Sequence, residues 1–227
     1  LAFKDSVIAF DLDGTLVDTA PDLIGTLNHL LFEQGLTPVP VSAVRWLVGG
    51  GARVMLERGF AEAGRPFADG APQALVDRFH ALYYARIADE SRPFPGVADT
   101  LDQLRAEGAR LIVCTNKRTD LSCRLLEIVG LIDRFVEVVG ADRVSAKKPD
   151  AAHLVEALAI AGGTRGRAVM VGDSSNDVGS ARGAGVPVVA VSWGYTATPA
   201  AELGADAVID RFAELPPVAR DLLSRAV

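Results

Sequence analysis

Six short apolar runs along the chain each stop abruptly at a polar residue or a glycine. Val7-Ile8-Ala9-Phe10 meets Asp11, Leu111-Ile112-Val113-Cys114 meets Thr115, and Val136 to Val139 meets Gly140. Ala168 to Val171 meets Gly172-Asp173, Val186 to Val191 meets Ser192, and Ala207 to Ile209 meets Asp210. Runs this short, apolar at nearly every position and rich in β-branched residues, suit strands covered on both faces, as in a parallel sheet. Helical patterns lie between them: Val97–Glu107, Asp120–Val129, Ala151–Ala161 and Asp177–Ala184, closed by Gly108, Gly130, Gly162 and Gly185. A glycine just past the last periodic residue is a helix stop. Strands alternating with glycine-closed helices predict an α/β fold, a doubly wound, Rossmann-like parallel sheet.

One region breaks the alternation. Pro21–Gln34, Val41–Val48, Ala52–Ala63 and Ala71–Ala88 all read as helices, with Gly49-Gly50-Gly51 between the second and third. Leu75, Val76, Phe79, Leu82 and Tyr83 fall at the spacing of one buried helical face. The expectation is an all-helical insert over residues 17–92, with a catalytic core from residues 1–16 plus 93–227. Arg92-Pro93-Phe94-Pro95-Gly96 is then the return hinge.

Charge and composition remove several classes of function. Net charge −6 gives no basic footprint for nucleic acid. No stretch reaches 18 consecutive apolar residues, so no membrane span is expected. The first residues lack the basic and apolar regions of a secretory signal. The two cysteines, Cys114 and Cys123, form no CxxC or Cys/His cluster. With Cys114 read as a buried structural thiol, the expectation is a reducing, cytoplasmic compartment.

Ligands of open α/β sheets bind beyond the carboxyl ends of the strands. Three of the six runs end there in residues suited to phosphoryl chemistry: Asp11, Thr115 and Asp173. The string Asp11-Leu12-Asp13-Gly14-Thr15-Leu16-Val17-Asp18-Thr19 places two carboxylates at i, i+2 after a strand. Like charges that close repel unless a proton or cation lies between them, and Mg²⁺ favours such oxygen ligands together with phosphate and water. Taken alone, DxD also reads as an acidic turn, Thr115 as a cap, Asp177 as an acid at a helix N-terminus, and Lys148 as a solvated lysine. His29, His80 and His153 lie in helical patterns without a second ligand and read as structural. Trp193-Gly194-Tyr195 reads as aromatic packing near the fifth strand.

The nine-residue string resembles the first motif of the haloacid dehalogenase superfamily. Thr115-Asn116, Lys148-Pro149 and Gly172-Asp173-Ser174-Ser175-Asn176-Asp177 resemble the second, third and fourth motifs, in order. The resemblance implies a phosphatase with Asp11 as nucleophile and Asp13 as the acid that protonates the leaving oxygen and later deprotonates water. It implies Thr115, Asn116 and Lys148 as donors to the phosphoryl group. Mg²⁺ would be held by the carboxylates of Asp11 and Asp173 and the main-chain carbonyl of Asp13, with Asp177 ligating through water or orienting Lys148. The inserted helices resemble a cap that closes over the site.

Asp13 sets aside the dehalogenases, and the absence of lysine between Val17 and Arg92 sets aside the phosphonatases. The Val44–Leu56 stretch, Phe94-Pro95-Gly96-Val97, Thr115-Asn116-Lys117 and Trp193-Gly194-Tyr195 resemble the bacterial phosphoglycolate phosphatase branch. A carboxylate on the leaving group would need a donor, for which the amides of Gly49-Gly50-Gly51, Gly50 among them, or Arg53 are the candidates. A tight interhelical turn with a solvated Arg53 is the equal alternative. A β-phosphoglucomutase-like phosphotransferase shares the same motifs, and a regulatory or binding protein on the same fold is the non-enzymatic alternative. The expected partner is a small phosphorylated metabolite, without nucleic acid or membrane, met by a monomer or homodimer.

Overall fold

The protein is described by a computed structural model covering residues 2–225. Strand β1 (Val7–Phe10) lies at the centre of the main sheet, with all four residues buried. The chain then forms β2 (Val17–Asp18) and four helices, α1 (Ala20–Glu33), α2 (Val44–Leu47), α3 (Ala52–Glu62) and α4 (Gln73–Ala85). It returns through β3 (Arg92–Pro93), which pairs antiparallel with β2. From there the elements alternate: α5 (Val97–Ala106), β4 (Arg110–Cys114), α6 (Thr119–Ile128), β5 (Glu137–Val139) and α7 (Ala151–Ile160). Next come β6 (Ala168–Gly172), α8 (Ser175–Ala184), β7 (Val188–Val191), β8 (Ala207–Ile209) and α9 (Leu215–Arg225).

The main sheet has the order β5-β4-β1-β6-β7-β8, with every neighbouring pair parallel. Alternation along β1 builds two cores. Ile8 and Phe10 join Leu111, Val113, Val169 and Val171 on one face, under α5, α6 and α9. Val7 and Ala9 join Ile112, Cys114 and Met170 on the other, against α7 and α8. Because both faces are covered, the strands read as unbroken apolar runs rather than as alternating ones. The chain winds outward from β1 through β4 and β5, then crosses back to β6. Strand order therefore reverses beside β1, and a crevice opens at that switch point beyond the strand ends.

Four sequence expectations shift at their edges for local reasons. Pro72 takes the N-cap position of α4, so that helix starts at Gln73 rather than Ala71. The Val41–Val48 stretch divides into a 3-10 turn (Val41–Ala43) and the single turn of α2, because Val48 is extended and leads into the glycines. Val136 stays outside β5 and is half-exposed. The strand expected from Val186 begins at Val188, after Pro187, whose missing N–H suits it to a strand entrance.

Candidate active site

Leu12, fully buried, separates Asp11 from Asp13, so the two carboxylates leave the end of β1 on the side away from the core. The carbonyl of Leu12 accepts from the amides of Thr15, Leu16 and Val17, which folds the chain back at once. Gly14 permits the reversal: its φ is +84°, and a Cβ there would stand 2.7 Å from Asp173 Oδ2 and 2.8 Å from the Tyr195 ring. The ends of β4 and β6 deliver Thr115 and Asp173 to the same place. A cavity of about 300 Å³ is lined by Asp11, Asp13, Thr115, Asn116, Lys148 and Asp173, and is roofed by residues of the helical segment such as Gly49, Arg53 and Tyr83.

Lys148 is the hub of the charged groups. Its ammonium donates to Asp11 Oδ1 at 2.8 Å, Asp177 Oδ1 at 2.6 Å and the Cys114 carbonyl at 2.7 Å, so all three of its protons are used. Burial alone would lower its pKa, but the charges of Asp11 and Asp177 outweigh that and push it up, so it stays an ammonium. Lys147 is exposed and lies on the cavity wall.

Asp177 stands in the first turn of α8. Its Oδ2 accepts from the amides of Asp173 and Ser174 and from the Ser174 hydroxyl, a capping box. Both of its oxygens are therefore committed, one to the helix start and the other to Lys148. Asp173 accepts from the Tyr195 amide at 2.6 Å and from the Thr15 hydroxyl at 3.3 Å. Asp13 faces away from that group: its Oδ1 accepts from Thr19 Oγ1 at 2.8 Å and Lys117 Nζ at 2.7 Å. The same ammonium reaches the Tyr83 hydroxyl of α4 at 2.9 Å.

The acids fit a divalent cation. Oxygens of Asp11, Asp173 and Asp177 lie within 4.8 Å of one another. Burial raises Asp11 to about 6, against the opposing pull of Lys148, and the neighbouring acids add to the rise. Burial, then Asp177 and Asp11, raises Asp173 well above the usual carboxylate range. A single ammonium does not neutralise three acids, and a hard cation with oxygen ligands would supply the missing charge. Asp11 and Asp173 have ligand capacity to spare, whereas Asp177 does not.

Several residues behave differently from the sequence expectation. Both amide hydrogens of Asn116 go to main-chain carbonyls, those of Gly49 at 3.1 Å and Lys148 at 3.0 Å, and its Oδ1 accepts from the Lys148 amide. Asn116 thus grips the Lys148 backbone and the glycine loop rather than offering free donors. Asn176 donates to the same Gly49 carbonyl at 3.1 Å. Gly50 is turned away from the cavity, its would-be Cβ meeting Val54 at 2.8 Å, while Gly49 and Gly51 line the wall. Arg53 is exposed, as the alternative expected, but its guanidinium is bound to the Ala71 carbonyl and the Gln73 amide oxygen.

Of the histidines, His153 is buried, accepts from the Lys148 amide at 3.3 Å and is held neutral by burial and by Lys148, its pKa lowered to about 4. His29 pairs with Glu33, and His80 lines the cavity with its pKa lowered by burial. Cys114 is buried beside Lys148, and burial pushes its thiol up to about 12, as an inert structural thiol requires. Trp193 packs between Phe94 and Phe212, in keeping with its reading. Tyr195 does more: besides its amide bond to Asp173, its hydroxyl joins Asp18 and accepts from the Ala20 amide. Lys117, Tyr83 and Tyr195 were absent from the sequence-derived site because their partners are distant in the chain, whereas Thr19 lies in the same string as its partner Asp13 and was given no role of its own.

A family model described as haloacid dehalogenase-like hydrolase matches residues 8–191. A protein of Caulobacter vibrioides named phosphoglycolate phosphatase is 56% identical over 96% of this chain and 92% of its own. One of the same name from Agrobacterium fabrum is 49% identical over 92% and 89%. Among solved structures, a predicted phosphoglycolate phosphatase of Haemophilus somnus superposes with a TM-score of 0.86 at 30% identity, covering 96% of this chain and 98% of that one.

Proposed function

The chain belongs to the haloacid dehalogenase-like hydrolases and is a phosphatase, and from that footing we propose that it hydrolyses 2-phosphoglycolate to glycolate and phosphate through an aspartyl-phosphate on Asp11. The observation that carries the reading is the convergence of Asp11, Asp13, Thr115, Lys148 and Asp173 on one small cavity. The names of the relatives support the choice of substrate.

In the proposed reaction, Lys148 fixes Asp11 through Oδ1, and Oδ2 attacks phosphorus. The bond from phosphorus to the leaving oxygen breaks, its electron pair stays on that oxygen, and Asp13 supplies the proton. Thr19 and Lys117 both hold Asp13 Oδ1, which leaves Oδ2 to carry that proton. In the second half, water attacks the phosphorus, the bond to Asp11 breaks, and Asp13 takes the water's proton. The Thr115 hydroxyl accepts from the Lys117 amide and keeps its own proton for a phosphoryl oxygen. Mg²⁺, held by Asp11, Asp173 and the Asp13 carbonyl, would neutralise charge between the carboxylates and the phosphoryl oxygens. The helices over residues 17–92 act in this proposal as a cap that excludes water and reads the leaving group. A reducing cytoplasmic setting accords with the two free thiols.

The test is phosphate release from 2-phosphoglycolate, glucose 1-phosphate, pyrophosphate and nucleotides, with Mg²⁺ and with EDTA. Preference for 2-phosphoglycolate with Mg²⁺, acid-stable label on the enzyme after quenching, and loss of both in Asp11→Asn are the expected results. Full turnover by Asp11→Asn overturns the nucleophile. Indifference to Mg²⁺ overturns the metal, and preference for another phosphoester overturns the substrate.

A further inference from the structure

A leaving group that carries its own carboxylate needs a cation the rest of the cavity does not already consume. Five basic side chains line the wall: Arg53, Lys117, Arg118, Lys147 and Lys148. Lys148 is spent on Asp11, Asp177 and the Cys114 carbonyl, and Lys117 on Asp13 and Tyr83. Arg118 forks onto Asp120 with contacts of 3.0 and 2.9 Å. Arg53 is tied to Ala71 and Gln73 within the helical segment. Lys147 alone has neither an ion pair nor a side-chain hydrogen bond among the described residues, and its ammonium lies 3.6 Å from the point a Gly51 Cβ would occupy.

We propose that Lys147 is the specificity residue of this enzyme, taking the carboxylate of the leaving group while Lys148 serves the phosphoryl end. The inference rests on the 2-phosphoglycolate reading above. Successive residues place the two ammonium groups: their Cα atoms are about 3.8 Å apart, yet one side chain runs inward to Asp11 and the other across to the glycine loop between α2 and α3. The main chain between them is held by Asn116, which bonds both the amide and the carbonyl of Lys148. The carbonyl of Lys147 accepts from the Asp150 amide at 2.9 Å, which pins the residue at the entrance to α7. The cation is therefore offered from the sheet side of the seam rather than from the helical segment, against the expectation drawn from the sequence. The first turn of α3, Ala52 and Arg53, faces the same wall and adds a field of the same sign.

Isobutyl phosphate has an isopropyl group of about the same shape where 2-phosphoglycolate has its carboxylate, so the ratio of the kcat/KM value for 2-phosphoglycolate to that for isobutyl phosphate isolates the contact. Lys147→Met lowers that ratio about tenfold or more, the range of a hydrogen bond to a charged partner, mainly through KM for 2-phosphoglycolate. Lys147→Arg restores most of it, and Arg118→Met, which removes a committed cation from the same wall, leaves the ratio unchanged. Lys147 is exposed, so its replacement leaves the fold intact, and an unchanged inhibition constant for inorganic phosphate confirms the phosphoryl end. A ratio unaltered in Lys147→Met, or lowered as much in Arg118→Met, overturns the proposal while the phosphatase reading stands. A wild-type ratio near one overturns the substrate reading itself, and this inference falls with it.

Discussion

Replacing Lys148 with methionine keeps most of the side-chain volume and removes one buried charge. The ammonium has contacts of 2.8, 2.6 and 2.7 Å with Asp11, Asp177 and the Cys114 carbonyl, with its side chain 2% exposed and that of Asp177 1% exposed. Without it, three carboxylates within 4.8 Å of one another have no ion pair among the described residues. At an effective dielectric near 20, each like-charged pair at that separation repels by roughly 3.5 kcal/mol. Uptake of a proton relieves part of this, so the net loss settles at about 3–5 kcal/mol, the usual result of breaking a buried pair from one side. For a chain of this size that is a fall in Tm of about 6–20 °C. Urea unfolding in EDTA measures the loss. Repeating it with millimolar Mg²⁺ shows a larger gain in the variant than in the wild type, because the divalent ion then meets the full charge of the acids. Turnover falls by about 100-fold or more for want of a fixed positive charge at the phosphoryl group. A loss under 1 kcal/mol in EDTA, or one that Mg²⁺ leaves untouched, refutes the account of Lys148 as the balance to these acids.

Two further outcomes follow from the same acids. In metal-free protein Asp11 has its pKa raised to about 6 by burial, above the unfolded value, so the folded state binds more protons between the two. Stability is therefore highest below about pH 4 as far as this group is concerned, and it declines by about 2–3 kcal/mol as pH rises to about 6; the difference between wild type and Asp11→Asn, read by urea unfolding in EDTA across that range, shows the slope, and a flat difference contradicts it. Gly194→Ala places a Cβ 2.1 Å from Asp173 Cβ and 2.5 Å from its Oδ2. The carboxylate must move, costing about 1–3 kcal/mol of stability and weakening Mg²⁺ binding at least tenfold by calorimetry, whereas unaltered affinity would place Asp173 outside the metal site.

The sheet was legible because its strands are covered on both sides. Val7–Phe10 falls at the expected residues and Ala168–Gly172 within one of them, since an apolar run and a polar stop carry all the information such a strand needs. The two-residue ribbon of β2 and β3 was not legible, for two residues have no periodicity and Arg92-Pro93 reads as a hinge. Helix α9 went unseen behind Pro216-Pro217, which the first turn of a helix accommodates without loss of a bond. In the site, the residues at strand ends announced themselves by position. Tyr195 and Lys117 did not, because what they touch, Asp18 and Asp173 for one and Asp13 and Tyr83 for the other, is fixed only by the tertiary fold. Asn116 was visible, but the glycine loop it meets lies 67 positions away, and that competition for its amide leaves no trace in local sequence.

The Gly49 carbonyl receives both Asn116 and Asn176. This fastening between the helical layer and the sheet, unlike that of Lys117 to the Tyr83 hydroxyl, is made to a main-chain oxygen, which no substitution within the helices removes. Side chains in α2, α3 and α4 can change while the glycine loop still rests on the same two amides. Changes in the outer helices therefore leave in place the two asparagines and the Lys148 backbone that Asn116 holds.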